Sequence, residues 1–140
     1  TEANLAGAAP GLVESIRAAQ VGEIVATLAS SERAIVIGDL NDQPGSPMYN
    51  VLTGSGYLDS WSTLRPGAQG LTCCHVADLS DAVAAFDQRI DYVFTRGFAG
   101  DDGKLFGQID HFGDVPADRL TGPASRIWPS DHAGLLAALR

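Results

Sequence analysis

Ala34-Ile35-Val36-Ile37-Gly38-Asp39-Leu40-Asn41-Asp42 is the stretch of sequence around which the fold is organised. Four small or β-branched apolar residues precede Gly38, and such a run is typical of a buried strand. If the extended backbone continues past Gly38, the side chains of Asp39 and Asn41 point the same way while Leu40 points into the core. The stretch therefore predicts a strand that delivers two polar groups to a site at its C-terminal end.

The composition of the 140-residue chain is that of one globular domain, with 45% hydrophobic residues. Nine basic against seventeen acidic residues give a net charge of −8, which opposes non-specific binding to a polyanion and suits a site that attracts cations. No apolar run approaches the roughly 18 residues of a membrane span, and no charged-then-apolar leader is present. We therefore expect no membrane span and no signal peptide, while the compartment stays open.

The two cysteines of the chain, Cys73 and Cys74, are adjacent. Neighbouring residues rarely reach disulfide geometry without strain, and the pair lacks the Cys and His spacing of a zinc site. We therefore expect two free thiols that act as small apolar residues in a strand over Leu71–Val76.

Apolar spacing predicts the other main elements. Apolar residues from Leu12 to Leu28 recur at three- and four-residue intervals, which indicates an amphipathic helix over Gly11–Ala29. Ser46 is placed to cap a short helix over Pro47–Leu52. β-Branched and aromatic residues favour further strands over Arg89–Thr95, Lys104–Phe112 and Leu135–Leu139.

Three short motifs carry a family resemblance. Gly-Asp-Leu-Asn at 38–41, Arg-Ile-Asp-Tyr-Val-Phe at 89–94 and Ser-Asp-His at 130–132 resemble, in order and spacing, the C-terminal motifs of the endonuclease/exonuclease/phosphatase superfamily. That superfamily includes DNase-like nucleases, apurinic endonucleases, bacterial sphingomyelinases, inositol polyphosphate phosphatases and deadenylases. The resemblance implies an α/β fold, a four-layer sandwich of two mixed sheets with helices outside, that cleaves a phosphoester with a divalent cation.

The resemblance covers only the C-terminal half of such a domain. In the family, a comparable stretch with an Asn, a metal-binding Glu and an active-site His precedes these motifs, and none of these can be assigned before Leu12. Residues 1–140 are therefore expected to form half of a four-layer α/β sandwich. The missing N-terminal half of the domain is the expected partner, and we expect the chain to be inactive without it.

The catalytic candidates follow from the chemistry of phosphoester hydrolysis and from the resemblance. The reaction needs an oriented water and groups that stabilise charge on the phosphoryl oxygens. Asp39 is expected to orient or deprotonate the water, and Asn41 to donate a hydrogen bond to a phosphate oxygen. His132 is expected to bind the phosphoryl group, while Asp91 accepts a hydrogen bond from its other ring nitrogen.

The metal and substrate candidates extend this set. Asp131 is the expected metal ligand, and Asp39 joins it or not depending on whether one or two ions bind. Hard oxygen ligands without a thiolate cluster favour Mg²⁺ or Mn²⁺ over Zn²⁺. Thr72 occupies a position where several family members place a polar residue beside the substrate, so it is a substrate-binding candidate with Asn41 and His132.

Each candidate also has a purely structural interpretation. Asp39 alone could cap a loop, Asp91 could pair with Arg89 or a backbone amide, and Asp131 with His132 could cap an element. His75 and His111 are expected to be surface or loop histidines, and Trp61 and Trp128 to be packing residues.

The alternative function is that of a non-catalytic half-domain. Such a chain would associate with another chain, or with its own copy as a homo-oligomer, through exposed sheet edges and apolar faces. For the hydrolase, the substrate stays open among small, lipid and nucleic-acid phosphoesters, and the net negative charge leans towards the first two.

Overall fold

The computed structural model describes residues 9, 11–100, 103–122 and 126–140 of the chain. The helices are α1 (Leu12–Thr27), α2 (Pro47–Gly54), α3 (Ser60–Leu64) and a 3₁₀ turn (Pro116–Asp118). The strands are β1 (Ala34–Asp39), β2 (Leu58–Asp59), β3 (Asp91–Arg96), β4 (Gly107–Phe112), β5 (Leu120–Thr121), β6 (Arg126–Ile127) and β7 (Gly134–Leu139). None of the helices in these ranges is long and apolar enough to cross a membrane.

The larger sheet has the strand order β1-β3-β2, and both pairings are antiparallel. The register of β1 against β3 runs from Ala34 opposite Arg96 to Asp39 opposite Asp91. A second sheet pairs β4 with β7, again antiparallel, and β5 and β6 form a small ribbon. The carboxylates of Asp39, at the C-terminal end of β1, and of Asp91, at the start of β3, therefore lie at the same end of these two paired strands.

The elements stack as helices, sheet and sheet. On one face of the larger sheet, Val36 and Phe94 pack with Val21 of α1 and Leu52 of α2. On its other face, Val93 packs against a cluster that also contains Trp61, Ile109, Leu135 and Ala137. Phe94 and Val93 are neighbours, and their opposite directions follow from the two-residue period of a strand. The predicted α/β class is thus confirmed.

Most predicted elements are confirmed, and one strand is wrong. Ser46 caps α2 by accepting a hydrogen bond from the Tyr49 backbone N–H at 3.3 Å. The segment from Leu71 to Val76 is irregular, with isolated bridges from Cys73 to Gln88 and to His132. The Thr72 and Cys73 N–H groups both donate to the Gln88 carbonyl, at 2.7 and 3.0 Å. These converging bonds replace the regular ladder of a strand.

Candidate active site

Asp39 lies at the end of β1, and the following turn holds its carboxylate. The Asn41 backbone N–H donates to Oδ1 at 2.7 Å, and Asn41 Nδ2 donates to Oδ2 at 3.0 Å. Asn41 has φ 56°, a left-handed conformation that Asn adopts more readily than most residues. The strand continues past Gly38 but ends at Asp39, so the extended geometry does not reach Asn41, and the turn brings the two polar groups together instead. Leu40 is 5% exposed and lies in the core as predicted.

Asp91 is the cross-strand partner of Asp39 and holds the imidazole of His132. Its Oδ2 lies 2.8 Å from His132 Nδ1. Arg89 pairs instead with Asp59, at 2.7 Å, so the structural interpretation in which Asp91 pairs with Arg89 is wrong. Because Asp91 accepts from Nδ1, the Nε2 atom of His132 faces away from the carboxylate, and its neighbour is Cys74 Sγ.

The charge environment of His132 favours its protonated form. Burial alone would lower the pKa of His132, but the hydrogen bond to Asp91 and the negative charges of Asp91, Asp131 and Asp39 outweigh it, so the pKa is raised. A protonated imidazole at this position can stabilise negative charge on a bound oxyanion.

Thr72 is buried behind the site. It is fully buried, and its Oγ1 accepts hydrogen bonds from the backbone N–H groups of Ile90 and Asp91, at 3.2 and 3.3 Å. Its side chain therefore contacts the start of β3, in a position that orients Asp91. A direct contact with substrate, as predicted for Thr72, would require its side chain to reach the open site.

Backbone hydrogen bonds attach the loop that carries His132 to the segment around Thr72. The Ala133 N–H donates to the Thr72 carbonyl at 2.8 Å, and the His75 N–H donates to the Asp131 carbonyl at 2.7 Å. Ser130 Oγ accepts from the His132 N–H at 3.2 Å. The backbone of Asp131 is fixed in this way, while its side chain lies exposed to solvent.

The carboxylates are compatible with an open site for a hard cation. Mg²⁺ is commonly held by one or two carboxylates, with waters and substrate phosphate oxygens completing its shell. The negative charges of Asp39 and Asp131 both act on His132 and help to raise its pKa.

The cysteine side chains lie beside His132. The Sγ atoms of Cys73 and Cys74 are in direct contact, and the expectation of two free thiols stays a prediction. Cys73 is buried, whereas Cys74 is exposed and its Sγ lies 3.8 Å from His132 Nε2. Sequence reasoning missed this contact because 58 residues separate the two side chains.

An open cavity of about 380 Å³ adjoins His132. Its lining includes Asp91 and Ser130 together with the apolar surfaces of Phe112 and Pro129. Gly134 also lines it, and a Cβ atom at this glycine would collide with the Phe112 ring. The direct pairing of Phe112 with Gly134 in the β4–β7 register explains this close approach, which no local sequence signal indicated.

The remaining histidines are packed rather than exposed. His75 is 5% exposed, stacks on Trp128 at 4.0 Å, and contacts Asp81 through Nδ1 at 2.8 Å. His111 stacks on Trp61 with the ring centroids 4.1 Å apart. His75 is thus a loop histidine as expected, although it is buried, whereas His111 lies in β4 and is neither a surface nor a loop residue. The two tryptophans are packing residues as predicted.

Comparison with known proteins supplies independent findings. A family model described as the Endonuclease/Exonuclease/phosphatase family matches residues 6–132. Among solved structures, the chain is similar to an endonuclease/exonuclease/phosphatase family protein from Bacteroides thetaiotaomicron, with a TM-score of 0.59 and 19% identity over 91% of this chain. The chain spans 45% of that protein, about half its length. No curated protein matches the chain.

Proposed function

The chain belongs to the endonuclease/exonuclease/phosphatase family, and we propose that it is the C-terminal half of a divalent-metal-dependent phosphodiester hydrolase. The observation that carries this proposal is the junction of β1 and β3. There Asp39 lies opposite Asp91, and Asp91 orients His132 through a 2.8 Å hydrogen bond. A carboxylate and an oriented imidazole at one edge of a sheet are the groups that water-mediated phosphoester cleavage requires.

Asp39 is the proposed acceptor for the proton of the attacking water. Its carboxylate receives two hydrogen bonds from Asn41, and a carboxylate offers about four acceptor positions. The two bonds fix the orientation of the carboxylate and leave it the capacity to accept a proton. The second Nδ2 hydrogen of Asn41 is then available to donate to a phosphate oxygen.

His132 is the proposed ligand of the phosphoryl group. Its Nε2 would donate to a non-bridging oxygen, and its raised pKa places positive charge where negative charge develops. Asp39 and Asp131 would hold Mg²⁺ or Mn²⁺. When bound, such an ion would add further stabilisation of charge on the phosphoryl oxygens.

The cavity beside His132 favours a compact substrate. Phe112 and Pro129 give part of its wall an apolar surface, and the net charge of −8 opposes a long polyanion. We therefore favour a small or lipid phosphodiester, with an apolar group next to the scissile phosphate, over duplex DNA.

The N-terminal half of the domain is the proposed partner of this chain. In the described sheet, β1 is an edge strand, and Ile35 and Ile37 on one of its faces are 48% and 69% exposed. An edge strand with exposed isoleucines favours further pairing. The family resemblance assigns a metal-binding Glu to that half, so activity is expected only from the full-length protein.

The test is hydrolysis of bis-p-nitrophenyl phosphate by the full-length protein. We expect turnover that requires Mg²⁺ or Mn²⁺ and stops when a chelator removes the ion. Two further substrates are assayed in parallel: a phosphodiester esterified with dodecyl chains, and a DNA duplex. The comparison distinguishes a preference for lipid-like substrates from a preference for nucleic acids. Metal-independent turnover, or none with either ion, would contradict the proposal.

A further inference from the structure

We propose that His75 is a positioning residue, whose buried ring fixes the loop that carries His132 against the opposite wall of the cavity beside it. One wall of that cavity includes Pro129 and His132, and the other includes Phe112 and Gly113. The coupling between the two walls follows from contacts within the chain. Its effect on turnover rests on the proposed function.

The ring of His75 is enclosed by two aromatic side chains. It stacks on Trp128 with the ring centroids 4.0 Å apart and an interplanar angle of 16°, and it meets the Phe86 ring edge to face at 4.7 Å. The side chain of His75 is inaccessible to solvent. This packing restricts the ring, so the directions of its two nitrogens are fixed.

The two ring nitrogens of His75 contact different segments of the chain. Nδ1 lies 2.8 Å from Asp81 Oδ2, and Nε2 lies 3.1 Å from the Gly113 carbonyl oxygen. Both partner atoms are hydrogen-bond acceptors, and an imidazole with a proton on each nitrogen can donate to both. A phenylalanine ring would fill a similar volume but leave both acceptors unpaired. The nitrogens, rather than the volume of the ring, therefore distinguish histidine at this position.

Gly113 is a point at which the two walls of the cavity approach each other. A Cβ atom at this residue would lie 3.7 Å from Pro129 Cγ and 3.9 Å from the His132 carbonyl oxygen. The Gly113 N–H donates to Asp118 Oδ2 at 2.8 Å, and its carbonyl contacts the His75 ring. The position of Gly113 against the loop that carries His132 therefore depends on His75.

The loop that carries His132 is joined to the same histidine. The backbone N–H of His75 donates to the Asp131 carbonyl at 2.7 Å. Trp128 Nε1 donates to the Asp81 carbonyl at 2.7 Å. Asp81 thus binds the His75 ring with its side chain and the Trp128 ring with its backbone. Both ends of the loop are therefore held by contacts that involve His75 or its carboxylate partner.

His75 therefore acts on the reaction through the position of His132. Without the ring nitrogens, Gly113 and the loop lose their shared attachment, and an error of about 1 Å in the position of a reacting group can cost about 10²-fold in rate. We expect kcat to fall more than KM rises. The substrate still reaches the cavity, but the imidazole of His132 is no longer aligned with the phosphoryl oxygen.

The experiment compares His75→Phe with His75→Gln in the full-length protein, with bis-p-nitrophenyl phosphate as substrate. Phenylalanine keeps the stack on Trp128 and removes both nitrogens, whereas the glutamine amide can still donate to the Gly113 carbonyl. We expect kcat to fall about 10- to 100-fold in His75→Phe and to stay close to the wild-type value in His75→Gln. His111→Phe is the matched control and should leave kcat unchanged, since His111 is also stacked on a tryptophan, Trp61, at 4.1 Å.

Nitrogen NMR of the histidine rings tests the position of His132 without turnover, and a His132→Ala spectrum identifies its signals. We expect the His132 Nδ1 signal to shift in His75→Phe and to keep its wild-type position in His75→Gln and His111→Phe. Trp128→Phe is the second variant if His75→Phe fails to fold. It keeps an aromatic ring against His75, removes the bond to the Asp81 carbonyl, and should shift the same signal.

Equal losses of kcat in His75→Phe and His75→Gln would overturn the inference, as would an unshifted His132 signal in both His75→Phe and Trp128→Phe. A shifted His132 signal in a full-length protein that hydrolyses no phosphodiester would reject the proposed function alone. Hydrolysis at the wild-type rate by folded His75→Phe would reject this inference alone.

Discussion

At the residue scale, the hydrogen bond between Asp91 and His132 can be used to test whether Asp91 positions the imidazole or only stabilises the fold. In Asp91→Asn the carboxamide no longer fixes the protonated Nδ1 tautomer, so we expect kcat of the full-length protein to fall about 10- to 100-fold with a smaller change in KM. Nitrogen NMR of His132 should show that Nδ1 loses its proton preference. Asp110→Asn is the matched control, since Asp110 is an exposed aspartate whose carboxylate contacts Arg65 and accepts a hydrogen bond from the His111 N–H.

An unchanged tautomer of His132 in Asp91→Asn would contradict this role, even if activity fell. Loss of activity with an altered fold would then be the simpler explanation, and circular dichroism would reveal it.

Thr72 offers a second residue-scale test. Thr72→Val removes the acceptor for two backbone N–H groups, and leaving buried donors unpaired costs about 1–3 kcal/mol. Thr95→Val is the matched control. Thr95, which lies on β3, is fully buried like Thr72, but its hydroxyl has no hydrogen-bond partner in the described part of the chain. Urea unfolding should show a loss of stability in Thr72→Val and little change in Thr95→Val.

A raised KM with unchanged stability in Thr72→Val would instead support the direct substrate contact that the family resemblance implies.

The sequence could predict Asp39, Asp91 and His132 as one site, because each residue lies in a short motif and the three motifs follow the order of the family. It could not propose the Cys74–His132 contact, because no periodicity links residues that meet only through a bridge between two loops.

At the scale of elements, a buried ion pair fixes α3 to the start of β3. Arg89 contacts Asp59 at 2.7 Å, with both side chains nearly inaccessible to solvent. Asp59 also caps α3, accepting hydrogen bonds from the N–H groups of Trp61 and Ser62 at 3.1 and 3.4 Å. Removing one member, as in Arg89→Met, leaves a buried unpaired charge and should cost about 3–5 kcal/mol of unfolding free energy.

This pair also predicts a direction of pH dependence. Burial raises the pKa of Asp59, but the hydrogen bond and charge of Arg89 outweigh it, so the folded pKa lies below the ordinary value of 3.8. The stabilisation is therefore present above the ordinary pKa and is lost as the pH falls through the lowered one. Acid titration of unfolding free energy should be steeper in the wild type than in Asp59→Asn/Arg89→Met, and equal slopes would contradict this assignment.

The elements that the sequence predicted share a strong local signal. β1 and β3 have β-branched and aromatic runs, α1 has apolar residues at helical spacing, and α2 has a serine cap. The strand expected over Leu71–Val76 failed because apolar composition does not specify hydrogen-bond partners. In that segment the N–H groups of Thr72 and Cys73 both donate to the Gln88 carbonyl, so no regular ladder of β-sheet hydrogen bonds forms.

At the scale of the whole molecule, the layers of helices, sheet and sheet leave one face of β1 exposed. Ile35 and Ile37 lie there, and Val36 between them packs against the helices. We expect the 140-residue chain alone to self-associate through this surface, and Ile37→Lys to reduce that association. Analytical ultracentrifugation measures the change, with Val83→Lys as a control, since Val83 is 61% exposed but lies outside the helices and strands.

A monodisperse 14.6 kDa wild-type species would contradict the proposed surface.

The α/β class and the layer order could be predicted from the sequence, because three motifs and their spacing indicate one family. The proposed partner of β1 rests on the family resemblance and on the match of this chain to 45% of a solved family structure.

The most direct test of the central claim is kcat/KM for bis-p-nitrophenyl phosphate, measured in Mg²⁺ with full-length wild type, Asp39→Asn and His132→Ala. Asp39 is the proposed base and His132 the proposed phosphoryl ligand, and groups in such roles contribute roughly 10²- to 10⁴-fold. We predict losses of that size in both variants, with wild-type circular dichroism. Turnover that neither substitution reduces would contradict the account.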